Sequence, residues 1–429
     1  MTLQKYEKMK DSGIEWIGEI PKHWRKTRLG YECQLINGYA YSEKEFTDSG
    51  YPIIRIQNLN GKKNFLYSNL KLPEKQFVQK GDLLFVWSAI FGPFIWEGPK
   101  ASYHYHQWKV VPKEKLDKKF MFYNLDKISD VVKSMSHSGI DMVHMTKLSM
   151  EKLPIFLPDI DEQLQIRNYL DLKTKTIDDE IFKNKKLIEL LKEQKQSIIN
   201  RAVIKGLDDT IPMKDSGVKW IGKIPKHWNV IKLKYLVKLT SGFSFSSNDF
   251  VNSGIPVLKI FNVSDQKIDW SEKSFLPNNF WKKFPEFHVY KNDLLIAMTR
   301  PIISFGLKLS FFKDDFKCLL NQRVGKFIIK KSIRPNFLFY LLCSKYVREN
   351  ISIQLFETVQ PNISSDDVER IPIALPPILE QEKISNFLDI KTDKINLLIS
   401  KVESQISKLQ EFRESLISST VTGKICVTN

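Results

Sequence analysis

Few residues in this chain are spaced for catalysis. Pro158-Asp159 followed by Glu193-Gln194-Lys195 has the residue types of a magnesium-dependent nuclease, whose carboxylates must converge on one metal. Both groups fall on a stretch of helical periodicity, which at 1.5 Å rise per residue sets them roughly fifty ångströms apart. They cannot share an ion. No two glycines stand two apart, and no Gly-Lys pair precedes Ser or Thr, so neither a dinucleotide loop nor a P-loop is written here. An adenine methyltransferase would need Asn, Asp or Ser leading a Pro-Pro-aromatic segment, but Pro376-Pro377 stands between Leu375 and Ile378. The chain is expected not to catalyse.

What remains suits recognition of a polyanion. The formal charge is +17 over 429 residues, with basic residues scattered along the chain; nucleic acid is the first partner this favours and an anionic membrane surface the second. Lineage composition, rich in Lys and Asn, is the plain alternative. Gln322 and Arg323 in "LLNQRVG" carry side chains that pair two-pronged with adenine and guanine edges. The counterpart "SYHYHQW" places His104 and His106 on one face of an expected strand, facing either DNA or solvent; two histidines alone make a poor metal site. Lys62 and Lys63 suit a phosphate contact or a solvated loop.

The four cysteines, Cys33, Cys318, Cys343 and Cys426, form no CxxC, so neither a disulfide framework nor a zinc knuckle is expected. The opening "MTLQKYEKMKDSG" has no apolar signal core, and the longest apolar run, 83–96, is short and broken by Gly92 and Pro93. A cytoplasmic location without membrane contact is the expectation.

The elements that must position these residues occur twice. "MKDSGIEWIGEIPKHW" (9–24) returns as "MKDSGVKWIGKIPKHW" (213–228), differing only at Ile14/Val218, Glu15/Lys219 and Glu19/Lys223. Further along, "YPIIRIQN" matches "IPVLKIFN", "GDLLFVWSA" faces "NDLLIAMTR", and "LPDIDEQLQIRNYLDLKT" faces "LPPILEQEKISNFLDIKT". Each copy opens with short β-rich runs and turn signals, an α/β texture. Each ends in a stretch without proline or glycine whose apolar residues recur every three and four positions: Ile166, Leu170, Lys173, Ile177, Ile181, Asn184, Ile188, Leu191, Lys195, Ile198, Ala202, and their counterparts Ile384 to Thr420 through Lys391, Ile395, Ile399, Val402, Ile406, Leu409, Arg413 and Leu416. A mean spacing of 3.5 is a coiled-coil seam.

Asp159 with Glu162, a capping-box spacing, and Pro376-Pro377 mark the helix starts; Gly206 and Gly423 mark the ends. Lys173, Lys391, Lys195 and Arg413 are expected to set register along the seam. The fold class is therefore α+β: two tandem α/β domains, 1–157 and 207–375, separated by two long antiparallel helices, 158–206 and 376–424, in a coiled coil with a pseudo-twofold axis. A helix of about 40 residues spans roughly 60 Å, or at most about 18 base pairs of duplex, so a bipartite target with an unread spacer is expected. The repeated Trp16/Trp220 and Trp24/Trp228 are expected to pin the opening segment onto a helix end. The copies diverge in 59–80 against 263–291 and in 90–150 against 301–368, as two different half-sites would require.

"DSGIEWIGEIPKHW", "GDLL", "LPDIDEQ" with "LPPILEQ", and the closing "AVIKGL" and "TVTGKI", in that duplicated order across essentially the whole chain, resemble the specificity (S) subunit of Type I restriction-modification systems. The resemblance implies two target recognition domains and a non-catalytic role. It implies assembly with two methyltransferase (M) subunits that methylate adenine, and with two translocase-nuclease (R) subunits when the system cuts. S-adenosylmethionine, ATP and magnesium would then sit on partners, with no cofactor on this chain. Loops approached by DNA in the family correspond here to the turns at Ser88 and Thr299-Arg300 and to "SHSGID" and "ETVQPNIS", with Ser138, Thr358 and Gln360; plain turn chemistry is the alternative. Glu162-Gln163 and Glu380-Gln381 are either first-turn caps or a surface offered to M. A self-sufficient DNA-binding regulator using the same rod, and a purely structural adaptor, are the competing functions.

Overall fold

The computed structural model describes residues 5–427 apart from 89, 137–144, 304–305 and 356–360. The chain divides into two compact units, Met1–Lys183 with Gln405–Asn429, and Asn184–Ser404. Both units use one plan.

In the first unit, an antiparallel sheet orders Cys33–Asn37, Gln107–Pro112, Leu83–Val86 and Gly92–Ile95. Leu83, Leu84, Phe85 and Val86 are wholly buried, the pattern of a strand covered on both faces. A second sheet orders Leu66–Ser68, Tyr51–Ile54, Ala101–Tyr103 and Phe77–Val78, its middle pair parallel. The helix Lys118–Ser136 covers the first sheet with Phe120, Met121 and Leu125.

The second unit repeats both sheets strand for strand. One orders Val237–Ser241, Val324–Ile329, Leu294–Ala297 and Leu309–Phe311; the other orders Phe275–Leu276, Ile255–Leu258, Cys318–Leu320 and His288–Val289. Its covering layer differs. Two shorter helices, Pro335–Leu342 and Lys345–Leu355, stand where the first unit has one.

The repeated opening forms a hairpin in each unit, Met9–Asp11 with Glu19–Pro21 and Met213–Asp215 with Lys223–Pro225. Trp24 and Trp228 are fully buried and lie against the ends of long helices, at Gly423 and Gly206 respectively. Both glycines have positive φ, +70° and +75°, the left-handed conformation that ends a helix at least cost in glycine. Trp16 and Trp220, by contrast, are exposed. They do not pin the segment; Ile17, Ile20 and Trp24 in one copy and Ile221, Ile224 and Trp228 in the other do.

The long helices run Ile160–Lys205 and Ile378–Val421 without interruption. In the first unit, the beginning of the first helix packs with the end of the second, and Arg413 bonds Asp178 at 3.0 Å. Within the second unit, the end of the first helix packs with the beginning of the second, and Lys195 bonds Asn396 at 2.9 Å. The pairing is antiparallel in each. Ile177, Ile181, Ile188, Ile395 and Leu416 are buried, while Leu191, Ile198, Ile399, Val402, Ile406 and Leu409 are half-buried.

Lys173 and Lys391 correct the expected register, for both are exposed and the buried residues are their neighbours Thr174 and Thr392. The cause is local: the first turns of each helix pack on a globular layer, which follows the 3.6-residue period through Ile166, Leu170 and Thr174. Tyr123 meets Asp171 and Thr174 at 2.9 and 3.2 Å, and Tyr340 meets Asp389 and Thr392 at 2.6 and 3.1 Å. Burial together with the neighbouring carboxylate pushes both phenols well above their ordinary range. The stripe shifts to 3.5 only beyond this contact.

Two glutamines anchor the helix starts. Gln163 accepts from the Asp117 amide at 2.9 Å and donates to the carbonyls of Lys115 and Pro158 at 3.2 and 3.0 Å. Gln381 accepts from the Arg334 amide at 2.8 Å and donates to Ser332 and Pro376 at 3.3 and 2.9 Å. Replacing either with Met keeps the volume and orphans these backbone groups, so Gln163→Met and Gln381→Met should each cost about 2–4 kcal/mol in denaturant unfolding. Lys173→Met should stay within about 0.5 kcal/mol; a large loss there would restore it to the seam.

Candidate nucleic-acid interface

In each unit some of the expected recognition residues lie at a tight turn between the two sheets. Ala101–Tyr103 leads into Gln107–Pro112 through Tyr105-His106, and Cys318–Leu320 leads into Val324–Ile329 through Gln322-Arg323. His104 is therefore a bridge residue at the strand end and His106 lies on the turn, so the two are not neighbours on a strand face. His104 bridges to Tyr39 and Asn321 bridges to Phe243, which makes His104, Tyr105 and His106 the equivalents of Asn321, Gln322 and Arg323.

Glycine makes this turn possible. A Cβ on Gly38 or Gly242 would strike backbone carbonyls at the base of the turn, those of Tyr103 and His104 or of Leu320 and Asn321. With glycine there, Tyr39 donates to the Tyr103 carbonyl at 3.0 Å, and Phe243 donates to that of Leu320 at 3.0 Å. The turn is clamped to its neighbouring strand by backbone alone.

In the first unit the turn is aromatic. The His106 ring lies 4.9 Å from His104, 4.0 Å from Tyr105 and 5.2 Å from Trp87, centroid to centroid. Desolvation, then His106, then Arg55 lower the His104 pKa from its ordinary value, so its neutral form is favoured. The turn borders a concave pocket of about 560 Å³ whose lining also includes Lys62, from the candidates above, and Arg55, Gln57 and Asn60, which were not among them. Lys63 and Lys62 are both exposed; Ser88 is half-buried.

The second unit builds a polar knot instead. Thr299 donates to Asn362 Oδ1 at 2.5 Å, and Arg323 donates to Thr299 Oγ1 and Asn362 Oδ1 at 3.2 and 3.1 Å. Arg300 stands beside it at φ +45°, its amide held by the Pro361 carbonyl at 2.8 Å. Gln322 and Arg323 are exposed. Thr299, Arg300, Gln322 and Arg323 are thus brought together, with Asn362 added to them. Ser138, Thr358 and Gln360 lie outside the described residues.

Arg55 and Gln57 escaped notice because "YPIIRIQN" reads as one β run. The strand ends at Ile54, and Ile56–Leu59 is a short helix. Asn58 forces the change: its Oδ1 accepts from the Arg55 amide at 3.0 Å while its Nδ2 donates to the Lys62 and Asn64 carbonyls, both at 3.0 Å. Asn262 does the same with Lys259, Asp269 and Glu272. A basic residue at the same place inside both apolar runs, Arg55 and Lys259, was the legible signal.

The four residues considered for a partner surface are spent within their own units. Glu162, Gln163 and Gln381 are buried. Glu162 accepts from Tyr6 at 2.6 Å and Trp24 at 3.1 Å and pairs with His23 at 2.7 Å; Glu380 is half-buried and pairs with His227 at 2.8 Å. Only half of the expected capping box exists, since Asp159 accepts from the Glu162 amide at 2.9 Å while the Glu162 side chain ties the opening segment to the helix. Among the described residues, no group of three or more His, Cys, Asp and Glu could hold a metal ion, and no helix is long and apolar enough to cross a membrane.

Residues 21–192 and 225–408 match the family described as the Type I restriction modification DNA specificity domain. The chain is similar to the Type I restriction enzyme MjaVIII specificity subunit of Methanocaldococcus jannaschii, with 31% identity over 96% of this chain and 95% of that one. It is 20% identical to the Type I restriction enzyme EcoBI specificity subunit of Escherichia coli over 97% of this chain and 89% of that one. A solved structure concerning complex assembly and conformational transition of the type I R-M system shares the fold, with a TM-score of 0.65 at 17% identity, covering 94% of this chain and 98% of that one. Two matches of one domain model, falling one on each of two units with the same strand order, make this chain a member of the Type I restriction-modification DNA specificity family.

Proposed function

We propose that this chain is the non-catalytic, DNA-reading subunit of a Type I restriction-modification complex, each unit reading one half of an asymmetric bipartite target. The observation that carries the reading is the pairing of a common frame with unlike turns. His104, Tyr105 and His106 occupy the places of Asn321, Gln322 and Arg323, on turns clamped in the same way at Gly38 and Gly242. A shared frame positions, and different side chains at its rim specify. The names of the relatives, all specificity subunits of Type I enzymes, support the same assignment.

In this reading the chain places methyltransferase subunits, and restriction subunits where the system cuts, over the target. The partners hold S-adenosylmethionine, ATP and magnesium; this chain contributes recognition. Duplex DNA meets the two rims, with phosphate contacts setting the register and base edges read by exposed side chains such as Gln322.

Sequencing of methylated adenines in cells expressing this chain with its methyltransferase partner tests the proposal. The expected map is two short specified blocks around an unspecified spacer; a single contiguous motif would sink the two-unit reading. Tight site-specific binding by the chain, with no adenine methylated, would favour a stand-alone regulator. Gln322→Ala should relax one position in one block, a loss of about 1–3 kcal/mol of base discrimination, and leave the other block unchanged. Equal loss in both blocks would mean that Gln322 acts through the fold.

A further inference from the structure

The pocket beside the first unit's turn is lined by donors. Arg55, Gln57, Asn60, Lys62, His104 and His106 surround it, with Ile56 as the apolar wall and no carboxylate among the described lining residues. The Arg55 Nε is buried and has no hydrogen-bond partner, a costly state for a guanidinium donor. The second unit resolves the equivalent positions internally. Lys259, at the place of Arg55, sets its ammonium 3.8 Å from the centroid of the Phe250 ring; Phe261 stands where Gln57 does; and Arg323, at the place of His106, is bonded to Thr299 and Asn362. Among the described residues, the counterparts of Arg55 and His106 are thus engaged within the second unit.

We infer that the Arg55 pocket is a phosphate site for the DNA backbone, giving the first unit an anchoring contact through positions whose counterparts in the second are engaged internally. The inference rests on the DNA-reading function proposed above. Shape separates phosphate from base: side chains that read base edges must project into a groove, whereas the ridge of backbone phosphates is convex and fits a concavity. A guanidinium fork matches phosphate oxygens in two-pronged fashion, and Arg55 lines the pocket beside Lys62. A neutral His104 can still donate one ring N–H, so its contribution does not depend on protonation.

The test measures binding of the full-length chain, co-purified with its methyltransferase partner, to two labelled duplexes, one carrying the mapped target and one lacking it, across roughly 50 to 200 mM salt. Arg55→Ala should weaken binding to both duplexes by the same factor, on the order of tenfold, and flatten the plot of log affinity against log salt by about 0.9, one released counterion. Lys259→Ala should leave that slope unchanged. Loss confined to the target duplex, with the slope intact, would make Arg55 a base reader and overturn the phosphate site, as would unchanged binding. If the unsubstituted complex binds neither duplex, the DNA-reading function itself fails. Should Arg55→Ala not fold, the exposed Lys62→Ala carries the same readout, and an unaltered slope there overturns the inference.

Discussion

Both ends of the Gln163 and Gln381 amides are spent on backbone groups beside a helix start, and these bonds fix how each long helix leaves its globular layer. A buried amide tolerates no rotation that would strand a donor or an acceptor. The angle of departure is thereby set by hydrogen-bond geometry, which is directional, whereas apolar contact alone is not. Everything farther along the helix inherits that direction: Tyr123 and Tyr340 add a second fixed point two to three turns later, and the apolar seam begins beyond them. Glu162 and Glu380 serve the same junction from the other side by holding the opening hairpin.

On this common frame the two units spend their rim residues differently. One gathers aromatic rings and imidazoles beside a cationic pocket; the other ties a threonine, an asparagine and an arginine into a knot beside a left-handed Arg300. Neither arrangement disturbs the sheets beneath, because the strand runs "LLFV" and "LLIA" are buried and take no part in the rim. Divergence at the rim with constancy below lets one scaffold carry two recognition surfaces.

Much of this was legible in the residues, and the failures have identifiable causes. The long helices, their glycine ends and the antiparallel seam follow from periodicity, because a seam has to repeat. Lys173 and Lys391 were misplaced because a 3.5-residue stripe was extended into turns whose partner is globular, where the period is 3.6. Glu162 read as a cap because its spacing from Asp159 is right; its true partners, Tyr6, His23 and Trp24, lie at least 138 positions away in sequence, and no local pattern encodes them. The turn at His104 was hidden by alternation that imitates a strand. Asn58, which closes the chain around Arg55, gave only its recurrence as Asn262 and no sign of what it holds.

The two units differ in how their parts arrive along the chain. The second is contiguous, Asn184–Ser404, whereas the first recruits Gln405–Asn429 to cover a helix begun some 240 residues earlier. A ribosome working from the amino terminus completes the second unit while the first still shows water the faces of Ile166, Leu170, Ile177 and Ile181, which share a core with Leu416, Ile417 and Val421. Long-range closure of this kind is slow and leaves apolar surface uncovered in the interval. Nascent chains of this protein therefore carry their greatest aggregation hazard at the amino-terminal module, and its consolidation is the last event of folding.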